Sequence, residues 1–244
     1  MEKTYIGIDG CRGGWVFAYR LDEKWKIEFY RNLEDADMLI EKSEVICIDM
    51  PMGLPETARQ ERECDTLLRK LLGYPFSSTV FNVPCRQSVY ADNYEDANEL
   101  NKEILGKGLS KQSWNISSKI KELDIYIKDH NEMILNFREC HPELAFKCLK
   151  GSLLQHKKKM NEGIQERIHI LKRYSKLKET GIFKLVETSS AIKKDDILDA
   201  MVLSLTAQGM TTNRYATLPE NIPYDSCKIP MAVYYLTNNS FFSG

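Results

Sequence analysis

Four aspartates stand at positions where their carboxylates could bind a divalent cation together. Asp9 and Asp49 each end a short apolar segment, "YIGID" and "VICID", and they would lie side by side if those segments were neighbouring strands. Asp196 and Asp199 are three residues apart on a predicted helix and therefore share one of its faces. Converging carboxylates repel one another unless cations join them, and such hard oxygen ligands suit Mg²⁺ or Mn²⁺.

A purely structural role is the alternative for most of these residues. Asp196 could cap a helix and complement its dipole, and Asp49 could be a turn residue. Glu143, which follows a further predicted strand, lies in a first helical turn, where acidic residues are common. Asp199 lies past the first turn of its helix, where capping does not account for it.

The apolar pattern and the turn residues predict an α/β fold with a mixed sheet of five strands. The predicted strands are residues 5–9, 15–21, 25–30, 45–51 and 133–140. The predicted helices include residues 57–72, 94–105, 116–127, 161–177 and 193–209, the last closed by Gly209. We expect a single domain over residues 1–244, with a helical insertion at 56–130 between strands four and five and a C-terminal extension at 211–244.

Composition narrows the class of protein. With 244 residues and 43% hydrophobic content the chain can bury a sizeable core, and its net charge of -1 gives no overall basic field for nucleic acid. No apolar segment has the length of a membrane span, and the N-terminus lacks a signal-peptide pattern. Seven cysteines without a CxxC pair favour free thiols over disulfides or a zinc site. We therefore expect a soluble cytoplasmic protein with no membrane partner.

Five separated segments resemble one family: "GIDGCRGGWV", "IDMPMGLP", "GLSKQSWNISSKIKELD", "ECHPELAF" and "DDILDA". It is the family numbered four hundred and twenty-nine among the domains of unknown function, whose members are predicted RNase H-like nucleases. The resemblance implies an RNase H-like fold, in which three antiparallel strands precede a helix and then alternating strands and helices. The sequence is also similar to RuvC-type resolvases, in which a first-strand aspartate and a "DxxDA" segment of the last helix bind metal. Here these correspond to Asp9 and to Asp196, Asp199 and Ala200.

This resemblance implies a metal-dependent nuclease that hydrolyses phosphodiester bonds with two Mg²⁺ or Mn²⁺ ions. Four aspartates would hold the ions, with Asp9 on both, Asp49 on one, and Asp196 and Asp199 on the other. Glu143 would complete the catalytic carboxylates. His141 is a candidate proton shuttle, although it could equally cap the helix that follows it.

Basic side chains in polar loops are candidates for phosphate contacts with a nucleic-acid or nucleotide substrate. Arg12, Arg86 and Lys111 are the favoured ones, and the lysine run at 157–159 is a further candidate. Trp114 could stack on a base or pack in the core.

Two functions of other classes stay open from the sequence. The same fold carries sugar kinases and actin-like ATPases, so "GIDGCRGG" could cradle a nucleotide phosphate in a phosphotransfer protein, although the chain lacks the duplicated second half that encloses ATP in those proteins. A non-catalytic member of the family that binds nucleic acid is the other alternative. The complete set of acidic residues argues against it.

Overall fold

The computed structural model describes residues 4–22, 24–175, 177, 181–182, 184, 186, 192–212 and 214–237. The chain divides into two compact units. The sheet unit comprises Met1–Asp49, Leu135–Ala216 and Tyr234–Gly244, and the helical unit comprises Met50–Ile134 and Thr217–Val233. The predicted organisation as one domain over residues 1–244, with an insertion at 56–130 and an extension at 211–244, stays a prediction.

The sheet unit is built on a five-stranded sheet in the order β3-β2-β1-β4-β5. Its strands are β1 (Thr4–Cys11), β2 (Gly14–Leu21), β3 (Lys24–Tyr30), β4 (Ser43–Asp49) and β5 (Phe137–Glu139). The first three strands are antiparallel, whereas β4 pairs in parallel with both β1 and β5. The predicted mixed sheet of an α/β fold is confirmed.

The continuous apolar segments form the two central strands because both faces of the sheet are covered there. Ile6 and Ile8 of β1 are fully buried, as are Ile46 and Ile48 of β4. The predicted strand at 133–140 is shorter than expected, because Met133 ends a 3₁₀ helix and residues 134–136 form a turn.

Eight α-helices have described bounds. They are α1 (Asp37–Glu41), α2 (Glu63–Leu72), α3 (Arg86–Val89), α4 (Tyr94–Leu105), α5 (Lys111–Asp129), α6 (Pro142–Lys150), α7 (Asn161–Tyr174) and α8 (Lys194–Met210). Helices α2 to α5 lie between β4 and β5 in the chain, where the sequence predicts a helical region. Strands β6 (Tyr215–Leu218) and β7 (Val233–Leu236) form a separate two-stranded sheet.

Several helix boundaries differ from the prediction. Helix α7 ends at Tyr174 and not at 177, and three other differences have identifiable reasons. The predicted helix 57–72 begins only at Glu63, since the preceding Arg62 donates hydrogen bonds to backbone carbonyl groups of the helical unit. Helix α5 begins earlier than predicted because the Ser110 side chain caps it. Gly209 lies inside α8 and does not end it; a Cβ atom there would lie 2.7 Å from Leu236.

Among the residues that the structure describes, no helix combines the length and the apolar composition that a membrane span requires.

Candidate active site

The central strands bring two aspartates together at one edge of the sheet. The parallel register of β1 and β4 pairs Asp9 directly with Asp49, so the two residues are neighbours, as predicted. On the other side of β4, β5 places Glu139 opposite Ile48. Asp9 and Glu139 are both buried, with 5% and 7% of their surface exposed. Because neighbouring side chains on a strand alternate between the two faces, Glu139 lies on the face opposite to Asp9 and Asp49, and its charge acts on Asp49.

Helix α8 approaches this edge because it packs unusually close to β1. A Cβ atom on Gly7 would lie 2.0 Å from the carbonyl oxygen of Ala200, so only glycine permits the contact. Farther along both elements, the Ser204 hydroxyl donates a hydrogen bond of 2.9 Å to the Tyr5 carbonyl. Four helical residues and two strand residues both advance about 6 Å. Because β1 and α8 run side by side in opposite directions, the first turns of α8 lie next to Asp9.

Two aspartates stand on those first turns and join the cluster. Asp199 is 1% exposed and Asp196 is 9% exposed, and the charges of both raise the pKa of Asp9. Asp196 is not the N-cap residue of α8, which is Lys193, but it lies in the first turn, where its charge complements the helix dipole. We name the set formed by Asp9, Asp49, Asp196 and Asp199 the carboxylate cluster.

An ammonium group lies inside the carboxylate cluster. The Lys158 side chain forms a salt bridge with Asp199, with 2.6 Å between Nζ and Oδ2. Its charge also lowers the pKa of Asp9, Asp49 and Asp196. The salt bridge to Asp199 is the main reason that the pKa of Lys158 is raised. Lys158 is therefore charged and partly offsets the repulsion among the carboxylates.

Glu143 lies beside the cluster in a buried ion pair. It is in the first turn of α6, and both its carboxylate oxygens accept hydrogen bonds from Nη2 of Arg167, at 2.7 and 2.6 Å. Arg167 is fully buried. Burial raises the pKa of Glu143, and Arg167 opposes that rise. The bond to Arg167 gives Glu143 a fixed position that a solvated first-turn residue would not have.

His141 precedes α6 and occupies its N-cap position, but its side chain makes no capping hydrogen bond. The capping alternative is therefore wrong, and the assignment of His141 as a proton shuttle stays a prediction. Pro142 is in the first turn of α6, as predicted.

The electrostatics of the cluster reflect several buried negative charges in one place. Burial raises the pKa of Asp9 well above its usual range, and the neighbouring Asp49 and Asp199 raise it further. Burial also raises the pKa of Asp49 to about 7, an effect that Lys158 opposes. Burial and the adjacent Asp195 raise the pKa of Asp196 to about 6. Without a bound cation, Asp9 and Asp49 would therefore keep their protons to a higher pH than ordinary aspartates.

The predicted substrate-binding residues do not all belong to the sheet unit. Arg12 is exposed in the turn between β1 and β2. In the helical unit, Lys111 lies 3.2 Å from the centroid of the Tyr94 ring, and Trp114 packs edge-on against the same ring. Contacts of Arg12, Lys111 and Trp114 with substrate stay predictions.

Arg86 has a structural role within the helical unit. Its guanidinium forms salt bridges with Glu56, Asp124 and Asp225, and its side chain is largely buried. These contacts hold together segments that are far apart in the sequence. Binding of substrate by Arg86 stays a prediction.

Three residues of the site are absent from the sequence-based candidates or were given another role. Glu139 ends β5 as Asp49 ends β4, and that signal could have found it. Arg167 is one of many charged residues on an amphipathic helix, and nothing in its neighbourhood distinguishes it. Lys158 belongs to the lysine run for which phosphate contact was the prediction, and the structure places it on Asp199.

The chemistry of the donor set fits a hard divalent cation. Within the described residues, four aspartates surround the ammonium of Lys158, and Lys193 also lowers the pKa of Asp196. The guanidinium of Arg167 is bonded to Glu143. Carboxylate oxygens are the ligands that Mg²⁺ and Mn²⁺ prefer. Burial is the main cause of the raised pKa of Asp9, Asp49 and Asp196, and the neighbouring carboxylates add to it.

Fold and site together define an α/β protein with a buried carboxylate cluster at one edge of a mixed sheet. The chain belongs to the family described as "Protein of unknown function (DUF429)", which matches residues 7–223. The family named from the sequence motifs is thereby confirmed. No curated protein and no solved structure matches the chain.

Proposed function

We propose that the protein is a metal-dependent nuclease that hydrolyses phosphodiester bonds at the carboxylate cluster. The observation that carries the proposal is the meeting of Asp9, Asp49, Asp196 and Asp199, which come from two parallel strands and one helix. A buried group of carboxylates with so little compensating positive charge is costly without a cation. A function that requires bound cations accounts for this costly arrangement of carboxylates.

The aspartates of the cluster would hold Mg²⁺ or Mn²⁺ on rigid elements. A bound divalent cation lowers the pKa of a water molecule and stabilises negative charge on a phosphate. Hydrolysis adds that water across the phosphodiester, so that one P–O bond forms, another breaks, and a phosphate monoester and an alcohol leave. The fold positions the carboxylates that would bind the cations. The paired strands β1 and β4 fix Asp9 and Asp49, and the close contact at Gly7 fixes α8.

Similarity to RNase H-like nucleases and RuvC-type resolvases supports the same reaction. In this proposal Asp9 corresponds to the first-strand aspartate of those enzymes, and Asp196 and Asp199 correspond to the "DxxDA" segment. The sheet order agrees with three antiparallel strands followed by parallel ones. Glu143 and His141 would assist at the edge of the cluster, His141 as a proton shuttle.

We also propose a cytoplasmic location and a nucleic-acid or nucleotide substrate. The seven cysteines form no disulfide bond, which is the state expected in a reducing compartment. Arg12, in the turn after Asp9, would contact a phosphate of the substrate.

The test is a cleavage assay on single-stranded, duplex, hybrid and branched nucleic acids with Mg²⁺ or Mn²⁺. We expect the wild type to cleave at least one of them, and Asp9→Asn to lose that cleavage while it still folds. Asp22→Asn is the matched control, since it is the same substitution at an exposed turn residue with φ of 49°. Equal cleavage by wild type and Asp9→Asn would contradict the proposal. ATP consumption without cleavage would favour the phosphotransfer alternative.

A further inference from the structure

The backbone around Lys158 is fixed to helix α7 on both sides. Before it, the Glu166 carboxylate accepts hydrogen bonds of 3.0 Å from the amides of Gln155 and His156. Arg167 donates to the His156 carbonyl at 3.3 Å. These contacts hold the segment that joins α6 to α7, which consists of residues 151–160.

A close backbone contact fixes the same segment next to Lys158. A Cβ atom on Gly163 would lie 2.1 Å from the Lys157 carbonyl oxygen, so only glycine lets the start of α7 approach it. The Met160 amide donates to the same carbonyl at 3.0 Å. The position of Lys158 is thus determined by packing, unlike that of a solvated surface lysine.

Only the middle lysine of the run enters the cluster. Lys157 and Lys159 are exposed, whereas Lys158 is half-buried and bonded to Asp199 at 2.6 Å. Asp199 is itself almost fully buried, and Lys158 interacts electrostatically with Asp9 and Asp49 as well. The ammonium therefore lies where the carboxylates converge, which is also where a divalent cation would bind.

We propose that Lys158 is a mobile cation of the active site: its ammonium pairs with Asp199 in the metal-free protein, yields Asp199 to a divalent cation, and then contacts the phosphate of the substrate. This inference rests on the proposed nuclease function. It assigns Lys158 both a competing role in metal binding and a catalytic role toward substrate.

Two physical reasons support the exchange. An ammonium and a divalent cation that share one carboxylate repel each other at such short distances. The lysine stem is flexible, so the ammonium can leave Asp199 while the fixed backbone keeps it near the cluster. A phosphate that approaches the cluster would then offer the ammonium an anionic partner, while the aspartates hold the cation.

The first test is calorimetric titration of Mn²⁺ into the metal-free wild type and into Lys158→Met. We expect Lys158→Met to bind Mn²⁺ about tenfold or more tightly, which corresponds to the loss of one competing ion pair. Lys157→Met and Lys159→Met are matched controls and should stay within about twofold of the wild type. Lys158→Gln is a second neutral variant, in case the methionine variant does not fold.

The outcomes separate this inference from the proposed function. Wild-type binding of Mn²⁺ with unchanged or weaker binding by both neutral variants at position 158 would overturn the inference alone. Absence of Mn²⁺ binding by the wild type and by every variant would overturn the inference and the metal-dependent function together. Binding by the neutral variants but not by the wild type would support strong competition by Lys158.

The second test measures hydrolysis of bis(p-nitrophenyl) phosphate at saturating Mn²⁺. Lys158→Met should lose at least about tenfold in kcat/KM despite its tighter metal binding, and Lys158→Arg should recover part of that loss. A methionine variant as active as the wild type would refute the role toward substrate. No hydrolysis by the wild type, combined with saturable Mn²⁺ binding, would refute that role and the proposed reaction, but not the competition for Asp199.

Discussion

Replacing Asp49 by asparagine should stabilise the metal-free protein above neutral pH. Burial raises the pKa of Asp49 to about 7, whereas its ordinary value is 3.8. Between those two values the folded state keeps a proton that the unfolded chain releases, so the free energy of unfolding falls as pH rises. The stabilisation is complete below the unfolded pKa and is lost as pH rises through about 7.

The magnitude follows from the difference between the two pKa values. About three pKa units at about 1.36 kcal/mol each give about 4 kcal/mol as the full effect of ionising Asp49. The Asp49 side chain is partly exposed and shares its repulsion with Asp9, so solvent screening reduces this figure. We expect Asp49→Asn to raise the free energy of unfolding by about 2 kcal/mol at pH 8, and by almost nothing near pH 4.

Urea unfolding in EDTA between pH 4 and pH 8.5 measures this difference directly. Asp22→Asn, in an exposed turn, controls for the loss of one negative charge outside the cluster. If Asp49→Asn were less stable than the wild type at pH 8, attraction to Lys158 would outweigh repulsion by the other carboxylates. The reasoning that the cluster needs a cation would then be wrong.

Three further substitutions test the elements that build the molecule. Gly7→Val should destabilise the protein by about 3 kcal/mol or more, because its side chain would meet the backbone of α8, and thermal unfolding measures the loss. Arg167→Met should cost about 3–5 kcal/mol at pH 7.5, because it leaves the Glu143 carboxylate buried without its partner; denaturant unfolding should show that adding Glu143→Gln restores part of the loss. Arg86→Met should cost about as much in denaturant unfolding, because three carboxylates of the helical unit lose their shared cation.

Each of these substitutions has a conservative comparison and a result that would count against it. Gly7→Ala tests whether a single methyl group is enough, and unchanged stability would mean that α8 can move away from β1. An additive double variant of Arg167 and Glu143 would show that the ion pair is not energetically coupled. Arg86→Lys keeps the positive charge but lacks the planar guanidinium. If Arg86→Lys were no more stable than Arg86→Met, the geometry of the guanidinium, and not its charge, would be the dominant factor.

The sequence predicted the part of the site that depends on local pattern. An apolar segment that ends in aspartate is a short-range signal, and Asp9 and Asp49 each carry it. Their direct pairing follows once β1 and β4 are neighbours in parallel register. The helical spacing of Asp196 and Asp199 is equally local, and both residues do reach the cluster.

The partners of these carboxylates depend on tertiary packing and could not be predicted in the same way. Lys158 is one of three consecutive lysines, and the contacts of α7 with the preceding segment determine which of them enters the cluster. Arg167 lies on a helix with many charged residues, and its partner Glu143 is remote in sequence. Glu139 is different, because its place at the end of a predicted strand was a local signal.

The claim on which the account depends is that the carboxylate cluster binds divalent cations. The most direct measurement is anomalous X-ray scattering from crystals of the wild type grown with Mn²⁺. We predict an anomalous peak within about 2.5 Å of carboxylate oxygens of Asp9 and Asp199, with the Lys158 ammonium no longer bonded to Asp199. Crystals in which Mn²⁺ is absent from the cluster and Lys158 still pairs with Asp199 would contradict the account.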